Sequence, residues 1–158
     1  MEKEVMQISQ QLLSIGSLLT TAESCTGGWV AKMITDMPGS SQWFDRGFVT
    51  YSNASKTDML SVSVELLANY GAVSEQVAAS MAVGALNNSL AEYSLSITGV
   101  AGPDGGSPEK PVGMVCFGWA KKNTPAMTET VVFEGDRDRV RYQAAKYALE
   151  GLLNKYLK

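Results

Sequence analysis

A run of small, hydroxylated and glycine residues at positions 20–28 contains the first candidate for chemistry, Ser24. The apolar pair at positions 18–19 precedes this run and predicts a buried strand, whereas residues 30–34 follow it with helical spacing. A serine between a strand and a helix can act as a nucleophile, and the backbone N–H groups that follow it can bind an oxyanion. The alternative is that Ser24 or Thr26 only caps the helix.

The sequence contains no histidine. This excludes a Ser–His–Asp triad, a Cys–His dyad and a His-ligated zinc site formed within the chain. A nucleophilic Ser24 must therefore find its base among Lys, Tyr, Asp or Glu. Cys25 is a second possible nucleophile and would also need a base, and Cys25 and Cys116 lack metal-ligand spacing. We expect no metal and no cofactor.

Tyr51 and Lys56 are the partners that strand geometry offers to Ser24. Ser24 closes one predicted strand, Tyr51 closes another, and Lys56 follows Tyr51 by five residues in a short helix. If both strands end at the same edge of the sheet, the three side chains converge there, where open α/β sheets bind ligands. A lysine whose pKa is lowered by burial can act as a general base, and a tyrosine can position it or relay a proton. The alternative is a solvated lysine and a tyrosine at the rim.

Two further segments could bind a substrate. Residues 99–106 form a glycine-rich loop whose backbone can approach a ligand closely, although it matches neither a P-loop nor a dinucleotide fingerprint. Arg137 and Arg141 lie four residues apart at the start of the last predicted helix, and paired guanidinium groups suit a phosphate or a carboxylate. The alternatives are an ordinary surface loop and a salt-bridged helix start.

The elements that must position these residues alternate between strands and helices. Apolar runs predict strands at residues 17–22, 43–51, 93–98, 112–120 and 128–133. Helical spacing and capping residues predict helices at residues 3–15, from the Ser24 turn to about Thr35, at 54–60, at 64–70 after Ser63, after Ser74, and after Asp136. This order predicts an α/β fold, a single three-layer α/β/α domain over residues 1–158. Its sheet should be mixed and mostly parallel, with an antiparallel hairpin formed by the last two strands.

Composition narrows the possible partners. The 158 residues are 45% hydrophobic and 18% charged with a net charge of −3, which is typical of a globular domain and offers no nucleic-acid surface. No apolar run approaches the ~20 residues that cross a bilayer. The N-terminus lacks the pattern of a signal peptide. We therefore expect a cytoplasmic protein that binds neither nucleic acid nor a membrane.

Taken together, these segments resemble the CinA C-terminal domain family. The resemblance lies in Thr-Ala-Glu-Ser-Cys-Thr-Gly-Gly at 21–28, Gly-Phe-Val-Thr-Tyr-Ser-Asn-Ala-Ser-Lys at 47–56, Gly-Ala-Val-Ser at 71–74, Thr-Gly-Val-Ala-Gly-Pro-Asp-Gly-Gly at 98–106, Lys-Pro-Val-Gly at 110–113 and Gly-Asp-Arg-x-x-Val-Arg at 135–141. These segments occur in order over nearly the whole chain, so the resemblance is more specific than any single motif.

The resemblance is to stand-alone bacterial members and implies hydrolysis of the carboxamide of nicotinamide mononucleotide (NMN). The products would be nicotinic acid mononucleotide and ammonia, within pyridine-nucleotide salvage. It implies that Ser24 is the nucleophile and that Lys56 and Tyr51 assist it. From the position of the turn before the helix, we expect the backbone N–H groups of Cys25 and Thr26 to bind the oxyanion. The residues that would bind substrate are Gly27, Gly28, Asn53, Thr98, Gly99, Ala101, Gly102, Arg137 and Arg141.

Two other functions stay open from the sequence. One is a nucleotide-binding or interaction module that keeps the fold without turnover, and the other is an amidase for a different substrate. The resemblance also implies a homodimer. The sequence does not decide which pyridine nucleotide is preferred, whether the arginines serve their own subunit, or whether Tyr51 relays a proton or only positions Lys56.

Overall fold

The computed structural model describes all residues from 1 to 158 and contains every predicted helix and strand, with ends shifted by a few residues. The helices are α1 (Glu2–Ile15), α2 (Trp29–Thr35), α3 (Asn53–Leu60), α4 (Val64–Tyr70), α5 (Glu75–Asn87) and α6 (Arg137–Leu152). The strands are β1 (Leu19–Glu23), β2 (Phe44–Val49), β3 (Tyr93–Gly99), β4 (Met114–Lys121) and β5 (Met127–Val132). None of the helices is long and apolar enough to span a membrane.

The five strands form one sheet in the order β2-β1-β3-β4-β5. Strand β1 pairs in parallel with both β2 and β3, and β4 runs antiparallel to β3 and β5. The predicted mixed α/β sheet and the hairpin of the last two strands are therefore confirmed. Glu23 lies opposite Val49 on one side and Ile97 on the other, so β1, β2 and β3 end at one edge. This shared carboxyl edge is where segments far apart in the sequence meet.

Helices cover both faces of the sheet. A core of 23 buried residues joins one face to α1, α2 and α6, through side chains such as Ile8, Leu95 and Leu149. A cluster of six buried residues, including Ala22 and Leu60, joins the other face to α3 and α5. Burial of these apolar surfaces supplies most of the driving force that holds the three layers together.

Helix α5 packs close enough to its face of the sheet for strand side chains to bond its main chain. Ser94 Oγ donates to the Ala82 carbonyl at 2.7 Å, and Ser96 Oγ donates to the Ala78 carbonyl at 2.6 Å. A Cβ atom on Gly84 would lie 2.1 Å from the carbonyl oxygen of Leu60, so this glycine lets α3 lie directly against α5. The close packing fixes the height of α3, the helix that contains Lys56, above the sheet.

Most helices begin with a capping side chain. The side chains of Ser52, Ser63, Ser74 and Asp136 each accept a hydrogen bond from a backbone N–H of the first turn that follows, which confirms the three caps predicted at Ser63, Ser74 and Asp136. Helix α2 differs, because its N-cap is Gly28 and no side chain at that position can cap it. The interpretation of Ser24 or Thr26 as its cap is therefore wrong.

Candidate active site

Ser24 is the first residue after β1, and its orientation follows from the alternation of side chains along the strand. Its backbone N–H donates to the Ile97 carbonyl at 2.9 Å, which continues the pairing with β3. Ala22 contacts the α3 and α5 layer, so Ser24 faces the same layer, whereas Glu23 points to α2. The Ser24 side chain is thereby held at the carboxyl edge, and only 7% of the residue is exposed.

Lys56 reaches Ser24 from α3. It lies four residues before Leu60, so both share the buried face of that helix, and Lys56 is 1% exposed. Its Nζ lies 3.0 Å from Ser24 Oγ, 2.9 Å from the Thr50 carbonyl and 3.3 Å from the Tyr51 carbonyl. Lys56 forms no ion pair, and burial lowers its pKa from the ordinary value of a lysine. The alternative of a solvated lysine is wrong.

The contacts of Lys56 suit a neutral amine. Such an amine has two N–H donors and one lone pair. The Thr50 and Tyr51 carbonyls can accept the two N–H groups, and the lone pair is then left for the hydroxyl proton of Ser24. After that proton has moved, the ammonium has three donors for the same three acceptors. The site can therefore accept a proton from Ser24 without rearranging.

Cys25 is a poor nucleophile in this position. The residue is 6% exposed, and burial raises the pKa of its thiol to about 12. Since the thiolate is the reactive form of cysteine, the thiol of Cys25 is inert near neutral pH. Of the two possible nucleophiles, the structure favours Ser24.

Free backbone N–H groups lie in the turn after Ser24. The N–H groups of Cys25 and Thr26 donate to no acceptor in the protein, although both residues are buried. Unpaired N–H groups on buried residues are rare in folded proteins, and two beside a nucleophile can bind an oxyanion. These groups precede α2 rather than belong to its first turn.

Glu23 explains why the first turn of α2 offers no free N–H groups there. Its Oε1 accepts hydrogen bonds from Val30 N–H at 2.9 Å and Thr26 Oγ1 at 2.7 Å, and its Oε2 accepts one from Ala31 N–H at 3.0 Å. The buried carboxylate thus caps the helix from the preceding strand. This role of Glu23 was not predicted from the sequence. The available signal was a glutamate in a buried strand whose side chain alternates away from Ser24, towards α2.

Tyr51 contributes two separate groups. Its carbonyl oxygen lies against Lys56 Nζ at 3.3 Å and against Ser24 Oγ at 3.5 Å. Its phenol is exposed and accepts a hydrogen bond from Arg137 Nη2 at 3.0 Å. The phenol makes no hydrogen bond to Ser24 or Lys56, so the main chain of Tyr51, and not its side chain, holds the lysine.

The glycine-rich loop after β3 lies next to this pair. Arg137 Nη1 donates to the Gly102 carbonyl at 2.8 Å, so one guanidinium joins the loop to the Tyr51 phenol. Ala101 is buried, and Gly99 has no room for a side chain because a Cβ atom would lie 2.8 Å from the Met114 carbonyl oxygen. The loop therefore presents mainly backbone at this edge.

Not every residue expected to bind substrate points at the edge. Thr98 is buried, and its hydroxyl donates to the Ala72 carbonyl at 2.9 Å, so it holds the loop between α4 and α5. Arg141 donates through Nε to the Cys25 carbonyl at 3.0 Å and through Nη2 to the Thr26 carbonyl at 3.2 Å. The two arginines therefore contact different loops and do not converge on one point.

The remaining candidates surround the turn and the start of α3. Gly27 and Gly28 adopt φ angles of +60° and +95°, which other residues rarely adopt. A Cβ atom on Gly27 would lie 3.4 Å from Arg141 Nη2, an ordinary contact, so the positive φ angle and not a lack of space favours glycine here. Asn53 is the exposed first residue of α3 and lines an open groove of about 810 Å³ between α3 and α4.

The three-layer fold, with a buried Ser–Lys pair at the carboxyl edge of its parallel strands, defines the class of the protein. The chain belongs to the CinA C-terminal domain family, whose model matches residues 1–156. It is 55% identical over 160 residues to the Escherichia coli (strain K12) protein named nicotinamide-nucleotide amidohydrolase PncC, covering 99% of this chain and 97% of that protein. A Pseudomonas putida protein of the same name is 48% identical over 147 residues, which cover 93% of this chain and 91% of that one. These curated relatives are hydrolases by name.

Solved structures give the same fold. The competence/damage inducible protein CihA from Agrobacterium tumefaciens matches with a TM-score of 0.94 and 42% identity, covering 97% of this chain and 93% of that one. A CinA superfamily protein from Escherichia coli matches with a TM-score of 0.92 and 41% identity, covering 96% of this chain and 88% of that one.

Proposed function

We propose that this chain hydrolyses the carboxamide of NMN to nicotinic acid mononucleotide and ammonia. The names of its curated relatives support the substrate and the reaction. The observation that carries the mechanism is the buried Lys56 Nζ, which lies 3.0 Å from Ser24 Oγ and has no carboxylate partner. A lysine in that setting is a base matched to a serine hydroxyl, in a chain that has no histidine.

In this mechanism the Ser24 hydroxyl transfers its proton to neutral Lys56 while Oγ attacks the carboxamide carbon. The resulting oxyanion accepts hydrogen bonds from the free N–H groups of Cys25 and Thr26. When the C–N bond breaks, the proton on Lys56 moves to the leaving nitrogen and ammonia departs. Water then attacks the acyl–enzyme while Lys56 takes one of its protons. As the ester bond breaks, Lys56 returns that proton to Ser24 Oγ, which releases the acid product and restores the Ser24 hydroxyl.

The nucleotide part of the substrate would lie between the loops that follow β2 and β3. Arg137, fixed by the Gly102 carbonyl and the Tyr51 phenol, is our candidate for the 5′-phosphate. Backbone of the loop at residues 99–102, together with Gly27, Gly28 and Asn53, would line the remainder. The homodimer stays a prediction of the family resemblance, and the single domain over residues 1–158 and the cytoplasmic location stay predictions of the sequence pattern and composition.

Ammonia release from NMN, without added metal, tests the proposal with the wild type, Ser24→Ala and Lys56→Met. We expect both variants to lose about 10⁴-fold or more in kcat, since removal of a nucleophile or its base costs several powers of ten. Ser14→Ala and Lys32→Met change exposed residues of α1 and α2 and serve as matched controls that keep wild-type rates.

The other outcomes are also informative. Full activity in Ser24→Ala would refute the serine mechanism. If the wild type releases no ammonia, the proposed reaction is wrong, and calorimetric titration with NMN then separates the alternatives. Tight binding without turnover would indicate a binding module, and no binding would indicate an amidase for another substrate.

A further inference from the structure

Arg141 approaches the Ser24 turn from the face of the sheet opposite to Lys56. It lies on α6, with Nε 3.0 Å from the Cys25 carbonyl oxygen and Nη2 3.2 Å from the Thr26 carbonyl oxygen. Its guanidinium carbon also lies 5.4 Å from the centre of the Trp29 ring, a cation–π contact. Three contacts to one short segment fix the guanidinium against the turn.

These contacts determine where the free N–H groups point. In a trans peptide the C=O and N–H bonds point in opposite directions. The Cys25 carbonyl belongs to the same peptide as the Thr26 N–H. Because Arg141 holds that carbonyl towards α6, the Thr26 N–H is directed away from α6, towards the layer that contains Ser24 Oγ and Lys56.

The second free N–H depends on Arg141 one step further along the turn. The Thr26 carbonyl accepts hydrogen bonds from Arg141 Nη2 and, at 3.1 Å, from the Trp29 N–H. It belongs to the same peptide as the Gly27 N–H, which donates to the Ser24 carbonyl at 3.0 Å. The Ser24 carbonyl in turn shares its peptide with the Cys25 N–H. Fixing the Thr26 peptide therefore also fixes the direction of the Cys25 N–H.

We propose that Arg141 is a positioning residue, which orients the Cys25 and Thr26 N–H groups for the oxyanion and does not bind the substrate phosphate. This inference rests on the proposed function, because it assigns Arg141 to the transition state of that reaction. A guanidinium on a peptide carbonyl also polarises the peptide, so its N–H becomes a stronger donor. Arg141 already donates to two main-chain carbonyls, whereas Arg137 lies at the edge between the two substrate loops.

Steady-state kinetics separates orientation from phosphate binding. For Arg141→Ala we expect kcat for NMN to fall about 10- to 100-fold, with KM within about threefold of the wild type, because oxyanion contacts act in the transition state. A lysine in Arg141→Lys can hold one of the two carbonyls but not both, so the kcat of this variant should lie between those of the wild type and Arg141→Ala. Arg139→Ala removes an arginine side chain of the same helix that makes no hydrogen bond and should behave as the wild type. A raised KM with unchanged kcat in Arg141→Ala would overturn the inference.

A second measurement does not depend on NMN. Diisopropyl fluorophosphate phosphorylates a reactive serine, forming the Oγ–P bond and releasing fluoride while the serine proton passes to the base. Mass spectrometry follows labelling of Ser24, and circular dichroism verifies that each variant is folded. We expect labelling of Arg141→Ala to be at least tenfold slower than that of Arg139→Ala. Equal labelling rates in the two variants would overturn the inference.

The two assays also distinguish failure of the positioning role of Arg141 from failure of the proposed function. If the wild type releases no ammonia but Ser24 is labelled with the expected dependence on Arg141, the proposed reaction fails and the positioning role stands. If the wild type releases ammonia and Arg141→Ala retains full kcat and labelling, the positioning role fails alone. Absence of both ammonia release and labelling in the wild type overturns both.

Discussion

Replacement of Glu23 by glutamine tests whether a buried carboxylate caps α2. The carboxylate is 1% exposed and accepts three hydrogen bonds, two through Oε1 and one through Oε2. Glutamine keeps one oxygen and places an NH₂ group against the Ala31 N–H. The variant therefore loses one charge-assisted hydrogen bond, about 1.5–3 kcal/mol, and the charge at a helix N-terminus, about 0.3–1 kcal/mol.

We expect the free energy of unfolding of Glu23→Gln to fall by about 2–4 kcal/mol, measured by urea denaturation followed by circular dichroism at pH 7. In a domain of this size the thermal midpoint should fall by about 5–15 °C. Glu65→Gln changes an exposed glutamate in the first turn of α4 and is the matched control, with an expected change within about 0.5 kcal/mol. If the two variants differ by less than about 0.5 kcal/mol, the capping role assigned to Glu23 is refuted.

Three further predictions concern Tyr51, Lys56 and the two cysteines. Tyr51→Phe keeps the carbonyl that holds Lys56 and loses only the phenol contact with Arg137. The KM for NMN should therefore rise about 3- to 10-fold with kcat nearly unchanged. A loss of about 100-fold in kcat would instead indicate that the phenol relays a proton. Because burial lowers the pKa of Lys56 in the folded state, the unfolded chain binds a proton on this residue over a pH range in which the folded chain does not. The free energy of unfolding should therefore rise with pH between that lowered pKa and the ordinary value of 10.5, and kcat/KM should rise as Lys56 becomes neutral. If a Lys56→Met variant shows the same pH dependence of unfolding as the wild type, the role assigned to Lys56 in that pH dependence is wrong. Cys25 and Cys116 are buried, and burial raises the pKa of both thiols. Iodoacetamide at pH 8 should therefore alkylate neither thiol in the folded protein and both after denaturation, as measured by mass spectrometry. Rapid alkylation of the folded protein would show that a thiol is accessible.

The parts of the fold that depend on local chemistry were predictable from the sequence. Ser63, Ser74 and Asp136 cap their helices because each side chain bonds a backbone N–H only a few residues away. The meeting of Ser24 and Lys56 was also predictable, since parallel strands end at the same edge and the absence of histidine left few possible bases.

The contacts that depend on packing between distant elements could not be predicted from the sequence. Arg141 contacts the Ser24 turn only because α6 packs against α2, and no spacing in the sequence reports that contact. The phenol of Tyr51 could have turned to Lys56 or away from it, and its partner Arg137 lies 86 residues further along the chain. Glu23 was missed because the common capping residues Ser24 and Thr26 stood beside it.

The hairpin formed by β4 and β5 has a consequence for where the molecule can be altered. Strand β4 leaves the carboxyl edge and β5 returns to it, so the intervening turn at residues 122–126 lies at the opposite end of the sheet. Eight residues of β4 span about 26 Å at the usual rise of a strand. A fluorophore or surface linker attached to the exposed side chain of Lys122 would therefore report on the protein from a known distance, without entering the edge where Ser24 lies.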